Sequence, residues 1–190
     1  NALYRGRCTR MLDKLCCSPE FLIATGRSIN KERMKDQYVV LRAIAFLMLH
    51  RGEFKDIPAL QYRGDIDDFL ARFMVYVNDN APEKLIVDYE NLFIRCMQIS
   101  YDLLGENGFR FSGNGIRRPI NMPLFEALSY LFSFVPEKID YTWASRLILD
   151  IESVKEEFDD SRYFSGNIDS TTSVSFRFDR MDKIINRIQL

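Results

Sequence analysis

Residues 31–50 read KERMKDQYVVLRAIAFLMLH, and this stretch decides the fold. Its later part, residues 38–49, is apolar on every side except at Arg42. Such a helix belongs inside protein, and it is too short for a membrane, whose crossing takes about 20 apolar residues. The stretch therefore predicts a buried central helix, with Asn30 as its N-cap and Arg51-Gly52 at its end.

Amphipathic segments flank the central stretch on both sides, separated by residues that start or stop helices. Starts are indicated at Ser18-Pro19-Glu20, Asp65, Pro82-Glu83 and Asn121, and ends at Gly26, Asn80, Gly105 and Pro136. Residues 162–173 read as a polar loop, and helical spacing resumes over 174–188. The sequence predicts an all-α fold, an irregular bundle of about seven helices around the central one, in a single domain of residues 1–190.

Composition and charge exclude several classes of protein. The chain is 47% hydrophobic and 28% charged, which favours a globular domain over a disordered or membrane protein. Its net charge of -1 argues against a surface wrapped in nucleic acid. Residues 1–35 nevertheless hold eight Lys and Arg against three acids, so one local surface is expected to be basic.

The cysteines and the first residues indicate an intracellular fragment. Four cysteines, two of them adjacent, do not form the spaced framework of a secreted disulfide protein. The opening Asn-Ala-Leu-Tyr has neither an initiator Met nor a signal peptide. We expect a cytoplasmic piece of a longer protein that lacks its upstream catalytic domain, although Asn1 and Ala2 could also be cloning residues.

Catalytic and metal chemistry has few candidates in this sequence. The single histidine, His50, excludes His-Asn-His nucleases and two-histidine zinc helices, and it reads as a C-terminal cap that complements the helix dipole. Cys16-Cys17 lacks the partners of a metal or redox motif. The acids of residues 152–160 read as a solvated helix end, with a divalent-metal site as the less favoured alternative. No cofactor and no metal are predicted.

The segment from 106 to 119 is the one long irregular stretch in the middle of the chain. It is rich in Gly, Asn and Ser and carries Arg110, Arg117 and Arg118. Its position just before a helix start makes it a candidate for an anion or nucleic-acid contact. A solvated surface loop is the slightly favoured interpretation. Arg5, Arg7 and Arg10 on the first helix are the other candidates for DNA contact.

Three polar residues near the central helix are candidates for an interface. Arg33 and Asp36 share a helix face, and Arg42, if buried, needs a carboxylate or carbonyl partner. They either form structural bridges or meet a domain absent from this chain. Asn121 joins Arg33 and Asp36 as a polar position of the resemblance described next.

Three sequence segments, taken in order, resemble a known family: NALYRG at 1–6, ERMKDQYVVLRAIAF at 32–46 and RRPINMPLFEAL at 117–128. They resemble the helical region that follows the catalytic domain in GmrSD-type restriction proteins. The resemblance implies a prokaryotic defence protein that hydrolyses nucleotides and acts on modified or foreign DNA. The family's Asp-Gly-Gln-Gln-Arg motif is absent, since the chain contains no Asp-Gly dipeptide.

The resemblance implies an accessory role for this chain. We expect a helical domain that positions the absent NTPase/nuclease domain of the same polypeptide and offers a basic face to DNA. The alternative is a protein-interaction or oligomerisation module with no nucleic-acid role. A stand-alone enzyme is the least favoured interpretation, because nucleophile and acid–base sets are missing.

Overall fold

The computed structural model describes residues 6–29, 34–113, 116–160 and 164–188. Within these ranges the chain forms eight α-helices and no strand, so the predicted all-α bundle is confirmed. The helices are α1 Arg7–Cys16, α2 Pro19–Ala24, α3 Lys35–His50, α4 Ile66–Asp79, α5 Glu83–Leu104, α6 Met122–Phe132, α7 Tyr141–Asp159 and α8 Thr171–Ile188. Short 3₁₀ turns lie at Pro58–Leu60 and Gly105–Asn107.

Side-chain caps fix most of the helix starts that the sequence indicates. The oxygens of Ser18, Asp65 and Asn121 each accept a hydrogen bond from the backbone N–H three residues on, at 3.3, 3.0 and 2.9 Å respectively. Such a bond satisfies one of the N–H groups that a helix start leaves without an intrahelical partner. Asp140, whose role was not predicted, caps α7 in the same way.

Two predicted boundaries are wrong. α6 ends at Phe132, several residues before Pro136, because the 3₁₀-type bonds from the N–H groups of Ser133, Phe134 and Val135 tighten and close its last turn. α8 begins at Thr171, inside the predicted polar loop, since the Ser170 hydroxyl accepts from the Ser173 N–H at 3.1 Å.

The central position of α3 is confirmed. Val40, Ile44, Phe46 and Leu47 have no exposed surface, and α3 packs against α1, α4, α5 and α6. Its described part begins at Lys35, whereas the predicted N-cap and residues 31–33 lie outside the described residues. Such complete enclosure explains why this helix tolerates almost no polar side chain.

α5, with 22 residues, is the longest of the described helices. α1 lies along it in the same direction, because Arg7 pairs with Glu83 and, seven residues further on each helix, Lys14 pairs with Glu90. α2 also packs on α5, and α6 packs against both α3 and α8. α7 packs on α5 and α8. Residues near the two ends of α5 are therefore far apart on the surface.

A group of four charged residues, here called the buried ion cluster, joins α3, α6 and α8. Arg42 Nε lies 2.5 Å from Glu126 Oε1, and its Nη2 lies 2.6 Å from Asp169 Oδ1. Arg177 Nη2 lies 3.1 Å from the second oxygen of Glu126. The predicted need of Arg42 for a carboxylate is confirmed. Burial alone would lower the pKa of Arg42, but Glu126 and Asp169 raise it.

His50 does not play the role that the sequence suggested. Its imidazole stacks on Phe178 with ring centroids 3.5 Å apart, and its Nε2 is buried with no hydrogen-bond partner among the described residues. Burial, together with the nearby charge of Arg177, lowers the pKa of His50 to about 3. The imidazole is therefore neutral at pH 7, and it complements no dipole. The prediction of a charged cap was wrong because the imidazole lies against Phe178 and near the positive charge of Arg177.

The four cysteines are all free thiols. Cys8, Cys16 and Cys96 are buried, whereas Cys17 is exposed. Burial raises the pKa of Cys8 and of Cys96 to about 12. Within the described residues, no helix combines the length and the apolar content needed to cross a membrane.

Candidate anion-binding cleft

The irregular segment between α5 and α6 is packed against the protein. Phe109 has no exposed surface, and its ring centroid lies 4.2 Å from that of Phe125 on α6. The N–H of Asn121 donates to the carbonyl of Phe109 at 3.0 Å, which joins the two ends of the loop. The loop is therefore a fixed part of the surface over the residues that the structure describes.

Arg110 anchors this loop to the end of α2. Its guanidinium donates to the carbonyls of Glu106, Arg118 and Thr25 and to the hydroxyl of Ser28. The side chain is 4% exposed, so it has no free face for a nucleic acid. Burial, and then the positive charge of Arg117, lower the pKa of Arg110 from its usual value. Arg110 positions the loop and does not lie on its outer surface.

A cleft of about 650 Å³ opens between this loop and α7. The volume falls within the roughly 300–1,000 Å³ of small-molecule sites. The described residues of its lining include four cations and two acids, with apolar and backbone surface between them. The charged residues are Arg110, Arg117, Arg118, Lys155, Glu106 and Glu152. We call this feature the loop cleft.

The cations on the outer side of the loop cleft are held by carboxylates. Arg117 Nη2 lies 2.9 Å from Glu106 Oε2, and both side chains are about half exposed. Arg118 pairs with Asp159 at the C-terminus of α7, and its guanidinium also lies over the Phe111 ring. These pairs are open to water, which makes them weak and exchangeable.

Lys155 lies deeper in the same cleft. Its side chain is 5% exposed, and its Nζ lies 3.0 Å from Glu152 Oε1 and 3.3 Å from the carbonyl of Asn107. An ammonium group carries three donors, and these two contacts engage two of them. Lys155 thus places a positive charge near the floor of the cleft.

The charge of the loop cleft does not balance. The partners of Arg110 are carbonyls and a hydroxyl, so no carboxylate is paired directly with its charge within the described part of the chain. The carboxylates near the cleft are instead paired with Arg117, Arg118 and Lys155. A cleft wall with a surplus positive charge attracts anions.

The structure separates the two groups of arginines that the sequence proposed for DNA. Arg7 lies at the N-terminal end of α5, where it donates to the carbonyl of Ala81 at 2.8 Å and pairs with Glu83 at 2.7 Å. Arg10 is exposed nearby. The 22 residues of α5 span about 33 Å at 1.5 Å per residue, so these arginines are far from the loop cleft. Arg5 lies outside the described residues.

The structure describes two of the three candidate interface residues, Asp36 and Asn121. Arg33 lies outside the described residues. Asp36 is 8% exposed, and its Oδ1 accepts from the Gln37 N–H at 2.8 Å. Asn121 is occupied as the N-cap of α6. An interface at Asp36 and Asn121 stays a prediction.

Two cleft residues were missed by sequence reasoning. The burial of Lys155 could not be recognised in the sequence, because a lysine in an amphipathic helix is ordinarily solvated. Glu152 was seen only as one member of the acidic end of α7. The neighbouring acids Glu157 and Asp159 are paired with Arg180 and Arg118. Among the residues described, no group of three or more His, Cys, Asp or Glu is arranged to hold a metal ion.

The arrangement can bind an anion by charge and hydrogen bonding. Arg117 and Arg118 present planar donor groups that suit phosphate oxygens, and Lys155 adds a point charge behind them. His50, stacked on Phe178 in the core, takes no part in the cleft. No protein-family model, no curated protein and no solved structure matches this chain.

Proposed function

We propose that this chain is a cytoplasmic helical accessory domain that binds the phosphate backbone of DNA through the loop cleft. Its reaction would be carried by another domain of a GmrSD-like DNA-targeting defence protein. The observation that supports binding at this place is the surplus of cations over acids in a cleft of suitable size. The basic side of α1, where Arg7 is already held by Glu83, is less well suited.

Binding would proceed by exchange of partners. Arg117 and Arg118 are 45% and 40% exposed, so a phosphate can replace Glu106 and Asp159 without unfolding the loop. Phosphate accepts paired N–H donors as a carboxylate does. Arg110 would hold the loop in place and add its charge from behind.

The accessory role is supported by what the described residues offer the cleft. They supply charge and donors, and the one imidazole in the chain is buried elsewhere. The resemblance of residues 1–6, 32–46 and 117–128 points to a neighbouring catalytic domain. Sequencing the coding region upstream of residue 1 tests that part separately, since it should encode an Asp-Gly-Gln-Gln-Arg motif.

DNA binding is tested by fluorescence anisotropy with a short duplex of random sequence over a range of salt concentrations. The double variant Arg117→Glu/Arg118→Glu should weaken binding at least about tenfold at low salt. It should also flatten the slope of log K against log salt by about 0.9 for each phosphate that the variant no longer neutralises. Circular dichroism confirms that the variant is folded.

Removing the carboxylates that compete with DNA for Arg117 and Arg118 should strengthen DNA binding. Glu106→Gln/Asp159→Asn leaves both arginines without their carboxylates, so DNA should bind more tightly, by roughly 3-fold or more. A purely structural role for these arginines predicts no such gain.

Arg10→Glu serves as the matched control at the other end of α5. This exposed arginine should be dispensable if the loop cleft is the site. Loss of binding in Arg10→Glu together with unchanged binding in the Arg117/Arg118 variant would reject the proposal in favour of the α1 surface. No binding by the wild-type chain at low salt would reject both surfaces.

A further inference from the structure

One face of α7 has nothing packed against it in the described structure. Its exposed positions are spaced alternately by four and three residues, so they form a single stripe along the helix. The stripe consists of Thr142, Arg146, Leu149, Ser153, Glu156 and Asp160. The opposite side of α7 is packed into the core, since Leu147, Ile151 and Phe158 have no exposed surface.

Large apolar side chains lie on or beside this stripe. Leu149 is 71% exposed, and Tyr141, at the start of the helix, is 87% exposed. Isolated apolar side chains at a surface are common. Here they adjoin charges whose arrangement indicates a specific partner.

The charges on the stripe are divided by sign along the helix. Arg146 lies in the N-terminal half, and Glu156 and Asp160 lie towards the C-terminus. Within the described ranges neither Arg146 nor Glu156 has an ion-pair partner, whereas Glu157 and Asp159 beside them are paired. Arg146 and Glu156 on the stripe therefore remain unmatched within the described part of one copy.

We propose that a second copy of this chain covers the stripe, with the two α7 helices antiparallel about a two-fold axis that passes between Leu149 and Ser153. In this arrangement Arg146 of each copy comes within reach of Glu156 of the other. The two-fold axis therefore generates this ion pair twice. Leu149 is buried near the axis. A parallel pair would instead bring the acidic ends together, and like charges there would repel.

The size of the stripe sets the strength of the dimer. Nineteen residues of helix are about 28 Å long, and one helix face covers less than the roughly 800 Å² per partner of a standard interface. We expect a reversible dimer with a dissociation constant in the micromolar range. Lys155 faces the loop cleft and not the stripe, so the dimer leaves both clefts open.

Sedimentation velocity from about 1 μM to about 1 mM tests the proposal directly. The wild-type chain should pass from monomer to dimer within this range. Leu149→Glu should remain monomeric, because it buries an unpaired charge at the axis. Val87→Glu, at a 40% exposed position on α5, is the matched control and should dimerise as the wild type does.

Charge exchange tests the antiparallel register. Arg146→Glu and Glu156→Arg should each weaken the dimer at least about tenfold, and the double variant should restore it, since the pairs are re-formed with reversed signs. Circular dichroism excludes unfolding in every variant. A wild-type chain that stays monomeric at the highest concentration, or a double variant no better than either single one, would overturn the proposal.

Discussion

The buried ion cluster and the loop cleft are built from the same kinds of residue and differ in solvent exposure. In the cluster, two arginines meet two carboxylates, and Arg42 and Glu126 are 2% and 0% exposed. In the cleft, cations outnumber acids, and Arg117 and Arg118 are nearly half exposed. In the cluster each buried charge faces an opposite charge. In the cleft the surplus charge is that of Arg110, which is buried but held by carbonyls and a hydroxyl instead of a carboxylate. An anion can use this surplus because the neighbouring arginines are open to water.

The largest expected effect is at the centre of the cluster. Glu126→Gln leaves the guanidinium groups of Arg42 and Arg177 without the carboxylate they share. We expect the free energy of unfolding to fall by about 3–5 kcal/mol, measured by urea denaturation. Glu106→Gln in the cleft is the matched control and should change it by less than about 1 kcal/mol.

Replacing the whole central triad separates charge balance from packing. Arg42→Met/Glu126→Leu/Arg177→Met removes all three charges together and keeps similar volumes. It should be clearly more stable than Glu126→Gln, because the one cluster charge that remains, Asp169, is 26% exposed and can be solvated. A triple variant as unstable as the single one would show that the hydrogen bonds to Asp169 and the neighbouring carbonyls matter more than the charge.

The next effect is a dependence of the free energy of unfolding on pH, caused by His50 beside the cluster. The pKa of folded His50 is about 3 against an ordinary 6.5, so between these values the unfolded chain binds a proton that the folded chain does not. Stability should therefore fall as pH decreases through this window, by up to about 1.4 kcal/mol per pH unit. His50→Phe, which keeps a ring against Phe178, should flatten this part of the curve. An unchanged slope would contradict a buried neutral imidazole.

A smaller effect is expected at Arg110, which combines burial with a place in the cleft wall. Arg110→Gln removes hydrogen bonds to the carbonyls of Glu106, Arg118 and Thr25, so stability should drop by about 1–3 kcal/mol in thermal denaturation. The loop should also become sensitive to limited proteolysis. Arg117→Ala, whose side chain is half exposed, should leave both properties almost unchanged.

The smallest effect is expected at the end of α7. Asp159→Asn removes the exposed partner of Arg118, and stability should change by less than about 1 kcal/mol. High salt should abolish even that difference, since exposed pairs are screened. A larger loss that persists in high salt would mean that this pair closes the cleft and that the contrast with the cluster is wrong.

Local signals predict most of the fold. The apolar run of α3 and the caps at Ser18, Asp65 and Asn121 are properties of neighbouring residues, and each can be recognised in the sequence. The end of α6 and the start of α8 were misplaced, because hydrogen bonds in the turns beside them are not visible as patterns.

The candidate site depends on distant pairings that the sequence does not display. Lys155 joins a loop some 48 residues earlier in the chain, and Arg110 is buried by contacts with residues at the end of α2, 82 and 85 positions away. Arg10 and Arg117 look equivalent in the sequence, although they lie near opposite ends of α5. Composition locates basic residues along the chain, and only tertiary packing decides which of them share a surface.

The one exposed thiol of this protein allows a probe to be attached at a defined site. Cys17 is exposed at the end of α1, whereas Cys8, Cys16 and Cys96 are buried. The high pKa of Cys8 and Cys96 also keeps those sulfurs protonated at neutral pH. A maleimide dye should therefore attach at this one position of the unaltered chain. A single fluorophore there gives each protomer a reporter for energy transfer between copies and for distance to labelled DNA, without mutation of the core.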